Sequence, residues 1–97
     1  MVFIKNVQQF KNTMKILKEK IIDILGEDEN FLLADGFEDA FVGIGRQFSR
    51  PIAVYDRSKC IDILQKNMSE EEAEEYFQFN VEGAWVGENT PIFLERL

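Results

Sequence analysis

Apolar residues return at alternating steps of four and three along the first quarter of the chain: Phe3, Val7, Phe10, Met14, Leu17, Ile21 and Ile24. Ile4, Ile22 and Leu25 widen the stripe, and the rhythm predicts one amphipathic helix over residues 1–25, stopped by Gly26. A stripe of this length serves either as the core face of a helix or as the seam of a dimer. Ile16 falls outside it, on the lysine-rich side. After the turn "GEDEN", the segment "FLLADGFEDA" fits either a short strand or a loop carrying a helical turn. "AFVGIGRQFSRPIAVYD" then reads as a β-hairpin, with Phe41, Val42 and Ile44 on one arm and Ile52, Val54 and Tyr55 on the other. Its loop is predicted to hold roughly four or five residues around Phe48, and Pro51 belongs at a strand start or a sheet edge.

The second half of the chain has the punctuation of helices. "DRSKCIDILQKNM" is a short helix capped by Asp56 or Ser58, with Asn67 as a left-handed terminator. Ser69 and Glu72 form a capping box, and Glu70, Glu71 and Glu72 place negative charge in a first turn where the helix dipole favours it. The inward face of that helix is predicted to be Ala73, Tyr76, Phe77, Asn80, Val81 and Ala84. Gly83 or Gly87 ends it, and "PIFLERL" supplies a last strand. These elements predict an α+β fold in the order α-β-β-α-α-β: a small antiparallel sheet, made of the hairpin plus the C-terminal strand, packed against three helices. With 97 residues the chain is expected to be a single domain over 1–97.

Composition narrows the chemistry. Histidine is absent and Cys60 is the single cysteine. This excludes an intramolecular disulfide, Cys/His zinc sites and imidazole catalysis. Cys60 sits on the inner side of its helix with no group to activate it, so it reads as a small buried hydrophobe. A lone thiol suits a reducing compartment, the start lacks the features of a secretory signal, and no run approaches membrane-spanning length. A cytoplasmic protein with no membrane partner is expected. The net charge of -7 is uneven: residues 1–25 carry five lysines against Glu19 and Asp23, whereas residues 66–97 carry eight glutamates against Lys66 and Arg96. A basic first helix on an acidic body suits docking onto an acidic surface, including that of a twin, so a homodimer through the first helix is expected.

Four features remain to be explained. In "RQFSR", Arg46 and Arg50 flank Phe48, an arrangement that anchors a protein partner or holds a phosphate while stacking on a base. The plainer alternative folds Phe48 onto the core and pairs the arginines with surface glutamates. Gly43 and Gly45 make half of a dinucleotide fingerprint without its third glycine or its helix, so close approach of a helix or ligand to the sheet explains them better. The glutamate run mimics a phosphate backbone, or is simply a capped and solvated helix face. It and the acidic turns lack the ligand order of a calcium loop, and neither a metal site nor a cofactor is predicted. Asn80 lies mid-face on its helix, where a buried amide must either tie a neighbouring backbone, such as that of Gly43 to Gly45, or face a pocket with Trp85. Tyr55 and Asp56, at a strand-to-helix corner, serve a pocket or a cap.

"FVGIG", "IAVYDRSKCIDIL" and "SEEEAEEYFQFNVEGAWVGENTPIF" together resemble a group of small uncharacterised proteins encoded by tailed bacteriophages. The shared pattern is a Gly-x-Gly strand, a Tyr-Asp strand end, and an acidic helix running into Asn-x-x-Gly-Ala-aromatic-Val-Gly-Glu-x-Thr-Pro. It spans residues 41–93 and leaves the basic first helix outside. The resemblance implies an origin rather than an activity: a small factor in the host cytoplasm that binds a host or phage protein, of the host-takeover or counter-defence kind. With no catalytic constellation in the sequence, two other expectations stand beside it. One is a protein that binds a small anionic ligand such as a nucleotide through Arg46, Arg50, Tyr55, Asn80 and Trp85; the other is an acidic nucleic-acid mimic. Direct nucleic-acid binding is disfavoured by the acidic charge.

Overall fold

Two of the strands, each seven residues long, organise the molecule. In a computed structural model describing residues 4–6, 15–26 and 30–97, β3 (Phe41–Gln47) and β4 (Arg50–Asp56) pair antiparallel around a two-residue turn, Phe48-Ser49. The turn is shorter than the sequence suggests because Gln47 and Arg50 close the ladder themselves. The other strands are β1 (Ile4–Asn6), β2 (Leu32–Ala34) and β5 (Ile92–Leu94), and the helices are α1 (Lys15–Leu25), α2 (Arg57–Leu64) and α3 (Glu70–Phe77). The expected class is therefore found, with the helices and main strands in the expected order and a β1–β2 ribbon added.

The main sheet has the order β3-β4-β5 and is mixed, which corrects the antiparallel expectation: β5 runs parallel to β4, with Val54 opposite Ile92 and Asp56 opposite Leu94. The two helices between these strands carry the chain back to the end from which β4 set out, and a strand that starts there runs parallel. Pro51 sits within β4, but β5 covers only Val54 to Asp56, so its missing N–H removes no ladder bond to that neighbour. "FLLADGFEDA" turns out to hold both alternatives, β2 and then a 3-10 turn at Glu38–Ala40.

The first helix is shorter than its apolar rhythm predicts. Ile4 to Asn6 pair with β2 as a strand instead; the stripe positions Phe3, Val7, Phe10 and Met14 lie outside the described residues. Within α1 the line that meets the core steps by four, through Leu17, Ile21 and Leu25. Ile24 is left exposed, like Ile16. Gly26, at a φ of +70°, closes the helix with its N–H on the Ile22 carbonyl at 2.7 Å. Asn67 keeps a negative φ; α2 ends in successive turns, with the Asn67 N–H on the Leu64 carbonyl, rather than on a left-handed residue.

An unbroken chain of aromatic rings holds the core together. Phe41 meets Tyr55 edge-on at 5.5 Å, Tyr55 stacks on Phe93 at 5.8 Å, Phe93 meets Phe77 at 5.0 Å, and Phe77 meets Phe37 at 6.1 Å. These contacts join β3, β4, β5 and α3 to the segment after β2. Ala73, Val81, Cys60 and Ile61 fill the helix side, and burial pushes the Cys60 thiol up to about 12, as suits an inert apolar group.

Polar ties fix the joints. The Tyr55 hydroxyl accepts the Ala34 N–H at 2.8 Å, linking the ribbon to the main sheet, and burial raises its pKa above the ordinary value. Asp56 caps α2 by accepting the Lys59 N–H at 3.1 Å and accepts Nε–H of Arg96 at 2.7 Å. Ser69 and Glu72 make both bonds of the capping box. Arg57 bridges Glu74 at 2.7 Å and Glu82 at 2.6 Å while lying 5.3 Å over the Phe77 ring.

The hydrogen bond from Arg96, aided by that from the Lys59 amide, holds the Asp56 carboxyl below its ordinary value. A carboxylate depressed in the folded state adds stability above its unfolded value, near about pH 4, and that contribution is lost as pH falls through the lower folded value. The melting temperature is therefore expected to drop as pH falls below about 4. In Asp56→Asn part of this dependence should vanish; calorimetry showing the same pH profile in both proteins would remove Asp56 from the account.

Candidate functional site

The turn of the main hairpin is unusual in its residues. A two-residue hairpin loop whose central positions both have positive φ is normally Asn-Gly or its equivalent, since a β-carbon is crowded there. Here the positions are Phe48, at 52°, and Ser49, at 63°. The phenyl ring gains no burial in return: Phe48 is 93 % exposed. Strain held without a packing reason is typical of residues kept for contact with something else.

The loop from Trp85 to Pro91 stands beside this tip. The chain reaches it through a π-helical turn, Gln78–Glu82, that extends α3. Gly83 ends the turn with its N–H on the Gln78 carbonyl at 3.0 Å, and a β-carbon there would lie 2.7 Å from that same oxygen, so only glycine fits. Thr90 fixes the loop: its hydroxyl accepts the Val86 N–H at 3.0 Å and donates to the Gly87 carbonyl at 2.6 Å. Gly87 supplies the φ of +108° that the bend requires. Trp85 is presented on this scaffold at 74 % exposure.

Tip and loop enclose a groove of about 310 Å³. Ile52 forms its buried floor, Phe48 and Trp85 its aromatic walls, and Pro91 and Ile92 its far side. Arg50 reaches from the hairpin to Glu88 on the loop at 2.7 Å, so the two walls are joined by an ion pair. On the other side of the tip lies a polar hollow lined by Asn30, Ser49, Pro51 and Asn89, which shares Phe48 and Arg50 with the groove.

Of the six residues singled out from the sequence, four gather at this end of the molecule: Arg46, Phe48, Arg50 and Trp85. Arg46 lies exposed on β3, one residue before Gln47 of the groove wall. Tyr55 does not belong with them. It is a core residue at 1 % exposure, its hydroxyl already bonded to the ribbon.

Asn80 is exposed, which corrects both readings of a buried amide, and its Nδ2 donates to the Tyr76 carbonyl of its own helix at 3.2 Å. The cause is the π turn, which takes roughly 4.4 residues per revolution instead of 3.6. Three residues past Phe77, Asn80 is swung roughly 50° further from the buried face than an α-helix would leave it. Gly43 and Gly45 do not make room for a helix, one of the two roles expected of them. Among the described residues no helix presses on Gly43, where a β-carbon would meet nothing within 4 Å, and Gly45 is tight against the Val54 side chain of the next strand.

Glu88, Thr90 and Ile52 were not singled out from the sequence as site residues. Thr90 carried a local signal, its hydroxyl falling three residues after a glycine in a loop, whereas the Arg50–Glu88 pair depends on two segments that only the fold brings together. Among the described residues no group of three or more acidic or cysteine side chains is placed to hold a metal, and no helix is long and apolar enough to cross a membrane. Comparison with protein-family models, with curated proteins and with solved structures found no match.

Proposed function

We propose that the protein acts by binding another protein through its hairpin tip, without catalysis, in the manner of the small phage factors that its second half resembles. The observation that carries this reading is Phe48: a large aromatic held fully outward on a strained turn, beside an exposed tryptophan and between Arg46 and Arg50. Aromatic and arginine side chains dominate the energetics of protein interfaces, and a rim of amides and hydroxyls such as Asn30, Ser49 and Asn89 is the usual surround.

The competing functions lose support from the same geometry. A nucleotide site built from Arg46, Arg50, Tyr55, Asn80 and Trp85 lacks two of its members, and Glu88 already neutralises Arg50. Acidic mimicry is weakened because Arg57 engages Glu74 and Glu82, which breaks the run of like charge.

Affinity capture from a bacterial lysate, run with the wild type and with Arg46→Glu/Phe48→Asn, tests the reading. The wild type is expected to retain a protein that the double variant loses, while the variant melts no lower than the wild type, because the changed side chains are exposed and Asn suits the turn. Equal capture by the two proteins, or a dose-dependent rise in melting temperature with nucleotides, would overturn it.

A further inference from the structure

Two strands of the main sheet, β4 and β5, are apolar on both faces over most of their length. Between Arg50 and Asp56, β4 reads Pro-Ile-Ala-Val-Tyr, and β5 reads Ile-Phe-Leu. Side chains alternate along a strand and register partners share a face, so Ala53, Tyr55 and Phe93 point with Phe41 and Ile44 into the core. Ile52, Val54, Ile92 and Leu94, with Gly43 and Gly45, make up the opposite face. A sheet solvated on one side ordinarily alternates apolar with polar residues, and continuous apolar runs belong to strands covered twice. Yet toward β5 the outer face is open: Ile92 and Leu94 are 44 % and 40 % exposed and Val54 is half-buried, whereas Ile52 is covered at the groove floor; among the described residues nothing lies within 4 Å of a β-carbon placed on Gly43.

We propose that this face is covered by a second copy of the chain, stacked sheet on sheet with the two β4 strands antiparallel. Charge selects both the occupant and the direction. Each end of the strip carries an ion pair, Arg50–Glu88 and Asp56–Arg96, and the more exposed partner is Glu88 at one end but Arg96 at the other. Antiparallel stacking about a two-fold axis brings Glu88 of each copy toward the opposite copy's Arg96 and lays apolar residues on apolar residues between them. Parallel stacking would oppose like charges. An unrelated partner would need the same sequence of negative, apolar and positive ground, which a second copy supplies by symmetry.

The sheet offers each copy a strip roughly 20 Å long, three strands wide only along the three residues of β5, well below the roughly 800 Å² per partner of a standard interface. Trp85 beside Ile92, and Val42 at the β3 bulge, add exposed apolar surface at the margins. The dimer is accordingly a weak one. It leaves Phe48 and Arg46 at its two ends but takes in Ile52 and Ile92 of the groove, so a second copy and a partner seated in that groove compete for the same ground.

Sedimentation equilibrium from about 20 μM to 1 mM tests the proposal. The wild type is expected to rise from 11.3 kDa toward twice that mass. Gly43→Lys, at a position with room for a side chain and no positive φ, should melt within about 2 °C of the wild type while dimerising at least tenfold more weakly, since the new ammonium must be buried to form the interface. Ile92→Lys, at an exposed position, takes its place if that variant does not fold. A wild type monomeric throughout overturns the proposal, as does a dimer that both variants leave intact, which would move the seam elsewhere, for instance to α1. A monomeric wild type that captures a lysate protein which Gly43→Lys loses also overturns it, assigning the face to a different partner.

Discussion

Replacing Phe77 with alanine is expected to cost about 3 to 5 kcal/mol. Phe77 is wholly buried and sits at the crossing of the aromatic chain, with Phe93 on one side at 5.0 Å and Phe37 on the other at 6.1 Å. It also lies beneath the Arg57 guanidinium. Truncation removes both ring contacts and the platform for that cation, and the cavity cannot close, because its walls come from α2, α3, β5 and the segment after β2. For a domain this small, several kcal/mol is a large share of the total stability, so Phe77→Ala should be largely unfolded at 37 °C. Urea unfolding followed by circular dichroism measures it; a loss under about 1.5 kcal/mol would mean that the ring chain is not the centre of the core.

The opposite sign is expected at the hairpin tip. Phe48→Asn/Ser49→Gly installs the residues that a turn with two positive φ values favours and removes two crowded β-carbons, for a gain of about 2 kcal/mol. The same double change deletes the aromatic anchor, so affinity for a captured partner should fall at least about 30-fold, the mark of a hot-spot residue. Stability and binding moving in opposite directions is the signature of a residue retained at the expense of the fold. If the variant is instead less stable than the wild type, Phe48 has a structural role and the tip is not the contact surface. Retained binding would be equally fatal to the proposal.

What could be read from the sequence follows the range of the interactions involved. The caps at Asp56 and Ser69 and the stop at Gly26 depend on residues within one turn of each other, and they stand where local spacing puts them. The hairpin arms were legible for the same reason. Ile4 to Asn6 obeyed a helical rhythm and still formed a strand, because Leu32 to Ala34 offered a ladder that no local pattern reveals. The direction of β5 was hidden in the path of two intervening helices. Asn80 was misplaced by a single widened turn, which no periodicity of 3.6 can anticipate, although Gly83 marks its end. At the site, exposed Phe48 and Trp85 were suggested by residue type, whereas the ion pair that joins their two segments was not.

The parallel pairing of β5 with β4 also sets the order in which the molecule assembles. β3 and β4 are joined by a two-residue turn and close at little entropic cost, but Val54 meets Ile92 only after α2, α3 and the Trp85 loop have been drawn in, a closure whose entropic cost grows with the logarithm of its length. Phe93, which links Tyr55 to Phe77, arrives with that strand. The helix side and the hairpin side of the core are thus knit together by one of the most non-local contacts in the chain, a topology that slows folding relative to a helical bundle of equal size.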